Sequence, residues 1–328
     1  MIAIFGASVT QQKKGYAVKL KSKLEEKVKI YGYGGMHLSD AGICFLDNII
    51  KERPRYCFLD WFTTGYLKSN DKTKEYLDTI IYKFSQVNCK LIFLFLPHRQ
   101  HKEREKFYSF CKDHLKKRNV YFLDLYKEIK KRNISLDTIL RDNVHTNDYG
   151  SELYASIIAS YFEKVKDRLT IPSGLRPTKY TEIKRLKINK IFDKCVKIKG
   201  NAEIVGFLVT LGPHSGIIEI VNKDDVQRIN TWDRWCHFPR KNFQFPMKIN
   251  GEVQLNILQE NFDTSECRVD FDFTKHRKKL VIHDIYYVGS HLQLLNINDG
   301  RRIPKEYLYF RKIAGRIYQY MKKLRYKN

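Results

Sequence analysis

Residues 90–97, KLIFLFLP, decide the fold of the first half of the chain. From Leu91 to Leu96 every residue is apolar. A strand with one wet face alternates apolar and polar residues, so an unbroken run reads as a strand covered on both faces, the signature of a parallel sheet. Pro97 has no backbone N–H to give a ladder and ends the strand. Outward from it, further short runs read as strands: IAIF (2–5), VKIYGYGG (28–35), RYCFLDWF (55–62) and VYFLDL (120–125). Longer amphipathic patterns lie between and after them, over 14–27, 39–52, 71–87, 103–118 and 148–169, with Ser39 placed to cap the second. Strands alternating with helices predict a parallel sheet with helices on both faces, a three-layer α/β/α domain over residues 1–169.

Residues 170–187 interrupt this pattern with Pro172, Gly174 and Pro177 and read as a linker. From 188 to 299 the runs are short and separated by Gly, Pro, Asn and Asp, as in AEIVGFLVTLG, GIIEIVN, VQLNIL and KLVIHDIYYVG. That texture predicts an all-β, sandwich-like domain. Residues 300–328 return to helical spacing, with Tyr307, Phe310, Ile313, Ile317, Met321 and Leu324 on one stripe and lysines and arginines on much of the rest. They read as a basic amphipathic helix, fit either for an anionic bilayer surface or for docking on the protein.

Of 328 residues, 43% are hydrophobic and 13% aromatic, which excludes a disordered chain. No run of about 20 apolar residues predicts a membrane span. No basic and then apolar leader follows Met1. The seven cysteines are scattered without a CxxC pair, so neither a zinc site nor a disulfide framework is signalled. A cytoplasmic location, peripheral to the inner membrane surface if the tail binds lipid, is the expectation. Lysine and arginine number 61 against 36 acidic residues, a net charge of +25. Such a surface attracts anionic sugars, acidic lipid or nucleic acid, although a lysine-rich proteome alone produces the same balance. No DNA- or RNA-binding motif is present.

In a doubly wound sheet, ligands bind outside the carboxyl ends of the strands. The first strand ends in FGAS, where Gly6 and Ala7 permit a tight turn that presents Ser8. The second ends in the GYGG turn at 32–35, and the third in WFTTG at 61–65. After the fifth comes DNVH at 142–145. A serine hydroxyl needs a base, and histidine titrates in the right range. The base needs a partner that fixes its tautomer. Ser8, His145 and Asp142 are therefore candidate nucleophile, base and acid. The backbone N–H groups of Ser8 and Gly35 and the hydroxyl of Thr64 are candidate oxyanion donors. Alone, a serine after a strand is ordinary turn chemistry and an Asp-x-x-His is often a cap.

These segments resemble three of the four consensus blocks of the SGNH (GDSL-type) hydrolases: GAS at 6–8, GYGG at 32–35 and DNVH at 142–145. The resemblance spans residues 1 to about 168. It implies a flavodoxin-like fold and acyl hydrolysis or transfer, with Ser8 as nucleophile, Gly35 as oxyanion donor, and Asp142 and His145 as acid and base. Two positions depart from the pattern. Ala7 stands where the family has Asp, and Thr64 stands where it has the oxyanion-hole Asn.

Other residues carry weaker signals. His98 and His101 follow the fourth strand and either line the cleft or lie solvated in a loop. His37 and Asp40 either touch substrate or cap the next helix. Trp232 and Trp235, in an aromatic and basic stretch with Phe238, Phe243, Arg234 and Arg240, either stack on sugars or form β-domain core. No cofactor and no metal set is signalled. The expected function is a serine-dependent carbohydrate O-acyl, chiefly O-acetyl, esterase or transferase of surface-polysaccharide or glycoconjugate synthesis, acting on a carbohydrate or glycoconjugate ester with an unidentified acyl donor. The alternative is a degenerate SGNH fold that binds acidic glycan or membrane through the β domain and tail.

Overall fold

The computed structural model describes residues 1–64, 70–223, 225–260, 264–267 and 272–303. The chain divides into two compact units, Met1–Glu182 and Ile183–Asn328.

In the first unit, β1 (Ile2–Gly6) leads through Ala7 into the short helix α1 (Ser8–Gln11) and then α2 (Tyr16–Lys21). Strand β2 (Val28–Gly32) is followed by α3 (Ala41–Cys44) and α4 (Leu46–Ile50), and β3 (Tyr56–Asp60) by α5 (Asn70–Ser85). Next come β4 (Lys90–Phe95), α6 (His101–Lys117) and β5 (Tyr121–Asp124). Helices α7 (Leu125–Lys131), α8 (Leu136–Ile139) and α9 (Asp148–Val165) close the unit. The five strands form one sheet in the order β2-β1-β3-β4-β5, and every pairing is parallel. This is the expected three-layer architecture.

The run that signalled it behaves as its composition demands. Leu91 to Phe95 are all buried, and so is every residue of β1 and β3. On one face Ile2, Ile4, Phe58, Ile92 and Leu94 pack against Tyr16, Leu20, Ile158 and Phe162 of α2 and α9. Phe58 and Phe162 meet edge to face, with centroids 5.4 Å apart. Phe62 stacks flat on Phe95 at 4.2 Å. Aromatic pairs of these geometries add about 0.5–1.5 kcal/mol each beyond the area they bury.

Helix boundaries differ from the sequence expectation in two places. The helix expected over 14–27 is only α2, and that expected over 39–52 breaks at Phe45 into α3 and α4. Asp40, rather than Ser39, caps the latter by accepting the Ala41 N–H.

The stretch expected to be a linker, 170–187, is partly built into structure. Thr178 meets Thr79 of α5 at 2.6 Å, and Tyr180 is buried with its ring 5.0 Å from Tyr76. Strand β6 (Lys184–Phe192) begins inside that stretch, because its first residues pair with Asp284–Tyr287.

The second unit is all-β with antiparallel pairing. It comprises β6, β7 (Cys195–Leu211), β8 (Ile217–Asn222), β9 (Asp225–Asn230), β10 (Arg240–Gln244), β11 (Met247–Ile257), β12 (Leu280–Leu294) and β13 (Arg301–Arg302). The sheet runs β13-β6-β12-β7-β11-β8-β9, with β10 added to the far half of β7. Its core gathers Val196, Ile198, Ile204, Phe207, Val209, Leu255, Ile282 and Ile285. From residue 304 onward, the expected basic helix lies outside the described residues. No helix among the described residues is long and apolar enough to cross a membrane. All seven cysteines are free thiols.

The end of β2 lies tightly against α1. A Cβ placed on Gly32 would fall 2.4 Å from Gln11 Cα and 2.5 Å from Gln11 N, both backbone atoms that cannot swing aside. Gly32→Ala is predicted to destabilise the protein by about 1–3 kcal/mol through overpacking. Equilibrium urea unfolding of the two proteins measures the loss.

Candidate active site

Two chain segments far apart in sequence meet at the carboxyl edge of the parallel sheet. Ser8 is the first residue of α1, directly after the Gly6–Ala7 turn out of β1, and is half-buried. Its Oγ lies 3.0 Å from Nε2 of His145. The other ring nitrogen of His145, Nδ1, lies 2.9 Å from Oδ2 and 3.0 Å from Oδ1 of Asp142. The sequence-predicted nucleophile, base and acid thus form one hydrogen-bonded series.

Asp142 is held by its own loop. Oδ1 accepts the N–H of Val144 at 3.0 Å and that of His145 at 2.8 Å. Partial burial pushes the Asp142 carboxyl up, but these backbone N–H groups and the neighbouring His145 ring outweigh it and hold the carboxyl below its usual range. An ionised carboxylate only accepts, so Nδ1 carries the imidazole hydrogen. Nε2 is then left with a lone pair facing the Ser8 hydroxyl, which is the tautomer a proton acceptor needs.

Neighbouring elements fix the 142–145 loop in place. Leu140 and Thr146 form an antiparallel bridge across its base, and Arg141 N–H donates to His145 O at 2.9 Å. Gln12, just after α1, donates from Nε2 to Thr146 O at 2.7 Å and so ties the base's loop to the nucleophile's helix. On the far side Arg99 donates its N–H to Asn143 O and its guanidinium to Leu140 O, each at 3.0 Å. Asn147 then caps α9 through Gly150 N–H at 2.8 Å. Sequence reading missed Gln12 and Arg99, because each acts through a carbonyl that no side-chain motif identifies.

The candidate oxyanion donors flank Ser8. Gln11 accepts the Gly34 N–H at 2.8 Å, and a Cβ on Gly34 would fall 3.8 Å from Ser8 Cβ. The turn after β2 therefore lies beside the nucleophile. Gly35 has φ of +73°, the left-handed backbone that favours glycine. Thr64 joins the same turn from β3, with its hydroxyl 3.2 Å from Met36 O and 3.4 Å from Trp61 O. A hydroxyl has one hydrogen, and here those carbonyls engage it.

The weaker candidates separate. His98, after β4, is buried at 4% exposure. Its Nδ1 accepts the Gln100 N–H at 2.9 Å, so its hydrogen is on Nε2. Burial first, then the nearby Arg104 charge, push its pKa down to about 4, which keeps the ring neutral. His101 stacks on Tyr126 at 3.5 Å. The backbone N–H of His37 donates to the capping carboxylate of Asp40 at 2.8 Å. Trp232 and Trp235 belong to the second unit. Trp232 sets its ring edge to face against Phe273 at 5.7 Å, while Trp235 is 38% exposed. Arg240, from the same stretch, pairs with Asp233. Among the described residues no group of three His, Cys, Asp or Glu side chains is arranged to hold a metal ion.

No family model and no curated protein matches this sequence. Among solved structures, the chain is similar to a two-domain esterase (CEX) active on acetylated mannans, co-crystallised with mannopentaose. The TM-score is 0.64 at 11% identity, over 88% of this chain and 91% of that one. A second crystal structure described as a two-domain esterase (CEX) active on acetylated mannans gives a TM-score of 0.63 at 12% identity, over the same shares of the two chains. At such identities the likeness is one of fold, and it spans residues of both units. The chain shares with that esterase a fold in which a parallel α/β domain is followed by an antiparallel β domain.

Proposed function

We propose that the protein is a serine esterase or acyltransferase acting on O-acylated, chiefly O-acetylated, carbohydrate. The observation that carries this reading is the series Ser8 Oγ, His145 Nε2, His145 Nδ1 and Asp142, closed at 3.0 and 2.9 Å. Ser8 Oγ attacks the ester carbonyl carbon while His145 Nε2 takes the hydroxyl proton. Asp142 steadies the imidazolium that forms. The tetrahedral oxyanion is received by backbone N–H groups of the Ser8 and Gly35 turns. Collapse breaks the ester C–O bond, and the His145 proton passes to the leaving alcohol. Water or a sugar hydroxyl then attacks the acyl-serine carbonyl while His145 Nε2 takes its proton, and collapse breaks the bond to Ser8 Oγ, which takes that proton back from His145.

The choice of carbohydrate rests on the fold likeness to an esterase described as active on acetylated mannans, which covers 88% of this chain. The net charge of +25 favours an anionic acceptor or a glycan carried on acidic lipid, as in surface-polysaccharide or glycoconjugate synthesis at the inner face of a membrane. Esterase and transferase differ only in what enters second. One observation favours a second reading, a non-catalytic glycan-binding protein: the Thr64 hydroxyl is engaged by Met36 O and Trp61 O.

Three outcomes test the proposal. Ser8→Ala is expected to lower kcat/KM for p-nitrophenyl acetate by roughly a thousandfold or more. Equal rates in the two proteins would favour the non-catalytic reading. With an acidic oligosaccharide added, acetyl found on the sugar selects transfer and free acetate selects hydrolysis. Asp142→Asn keeps the side-chain shape but turns an N–H donor toward Nδ1 and imposes the wrong tautomer. It is expected to cost about a hundredfold or more in kcat with the thermal midpoint little changed. Steady-state kinetics beside a melting curve separate the two quantities.

A further inference from the structure

Asp60 ends a strand that is otherwise apolar, and it is fully buried. It stands opposite Gly6 in the β1–β3 register. Its carbonyl accepts the Ala7 N–H at 3.0 Å. Its Oδ2 accepts the Thr10 hydroxyl at 3.0 Å. Thr10 has only one hydroxyl hydrogen, so the 2.8 Å contact between Thr10 Oγ1 and the Tyr16 hydroxyl is donated by Tyr16. Ala7 and Thr10 bracket Ser8. Asp60 therefore grips the chain one residue before the nucleophile and two residues after it. A Cβ on Gly6 would fall 2.4 Å from Asp60 O and 2.5 Å from Thr10 Oγ1, so the nucleophile's turn rests directly on this residue. The second carboxyl oxygen, Oδ1, is buried and has no hydrogen-bond partner among the described residues. Such a group is costly in a folded protein and calls for a reason to be kept.

Resting on the acyl-serine reading above, we propose that Asp60 is the positioning residue of the nucleophile: by holding Ala7 and Thr10 together it aims Ser8 Oγ at His145. The titration of Asp60 adds a signature that a merely structural residue would lack. Burial pushes its carboxyl up to about 7, against the lowering effect of the Thr10 hydrogen bond. Around it, α2 brings Tyr16, α6 brings Tyr108 and α9 brings Tyr154, and burial drives each of these phenols upward. Helix α6 also carries Arg104, whose guanidinium donates to Thr63 O. Neutral Asp60 holds the turn without placing an anion in the apolar interior against it. Ionised Asp60 puts a charge with no countercharge into that interior, at a desolvation cost that loosens the turn. The sign for stability follows from the raised value. The contribution of Asp60 is complete below its unfolded-state pKa of about 3.9 and is lost as pH rises through about 7.

The test labels the full chain with diisopropyl fluorophosphate and reads the Ser8 adduct by peptide mass spectrometry, from about pH 5 to about pH 9. Wild type, Asp60→Asn and Asp60→Ala are compared, with melting curves to establish folding. Asp60→Ala is expected to label at least roughly tenfold more slowly, and Asp60→Asn to recover most of that loss at the acid end. The ratio of wild-type to Asp60→Asn labelling rates is expected to fall as pH passes through about 7. If Asp60→Ala does not fold, Thr10→Val removes the same side-chain hydrogen bond and leaves Asp60 and its backbone bond to Ala7 in place, with a comparable loss of roughly tenfold expected. A Ser8 adduct that forms equally fast in all folded variants, or a rate ratio flat with pH, overturns the Asp60 assignment alone. No Ser8 adduct on wild type overturns the acyl-serine reading, and this proposal with it.

Discussion

One hydrogen bond, between His145 Nε2 and Ser8 Oγ, joins residues 137 positions apart, and the arrangement of the first unit is what makes it possible. A parallel sheet sends the loop after every strand to the same edge. Ser8 leaves β1, next to the β2 edge of the sheet, and the 142–145 loop arrives after β5 at the opposite edge. The gap is closed by backbone contacts: Gln12 to Thr146 O and Arg99 to Asn143 O. Each is a side chain or amide meeting a carbonyl that would otherwise need water. The geometry of the series is therefore a property of the loops' own hydrogen-bond accounting as much as of the three residues in it.

The same economy explains the glycines and the carboxyl groups around Ser8. Helix α1 is only four residues long and cannot anchor itself by length. It is held because β2 and β3 come against it without intervening side chains at Gly32 and Gly6. Asp142 and Asp60 then show how environment sets the state of two like groups. Asp142 is exposed and surrounded by donors that hold it below the usual carboxylate range. Asp60 is fully buried with one donor on Oδ2 and, among the described residues, none on Oδ1, and burial pushes its carboxyl up to about 7. One suits an anion that steadies a base, and the other a neutral clamp.

Much of this was legible in the sequence, for physical reasons. The run from Leu91 to Leu96 had no polar face to offer water, so both its faces had to be covered. Ser8, Asp142 and His145 could be placed on one edge because alternating strands and helices imply parallel strands, whose following loops share one edge. Other parts were not legible. Helix α1 is too short to show a period, and the break at Phe45 depends on tertiary packing. Strand β7 begins at Cys195, well before the apolar run from Ala202. Lys197 and Lys199 alternate outward there between buried Val196, Ile198 and Gly200, and the charges hid the strand. Gln12 and Arg99 gave no sequence signal, since a carbonyl partner is available anywhere. Asp60 is an acid in an otherwise apolar strand, but its grip on Ala7 and Thr10 depends on the register of β1 on β3, which no sequence pattern shows.

The central claim is that Ser8 carries the acyl group. Wild-type protein mixed with p-nitrophenyl acetate and quenched in acid within the first turnovers tests it most directly, by mass spectrometry of the peptide that contains Ser8. The account predicts one acetyl group on Ser8, which disappears as substrate is exhausted. An unmodified Ser8 peptide during steady release of p-nitrophenol, or acetyl located on another residue, would contradict it.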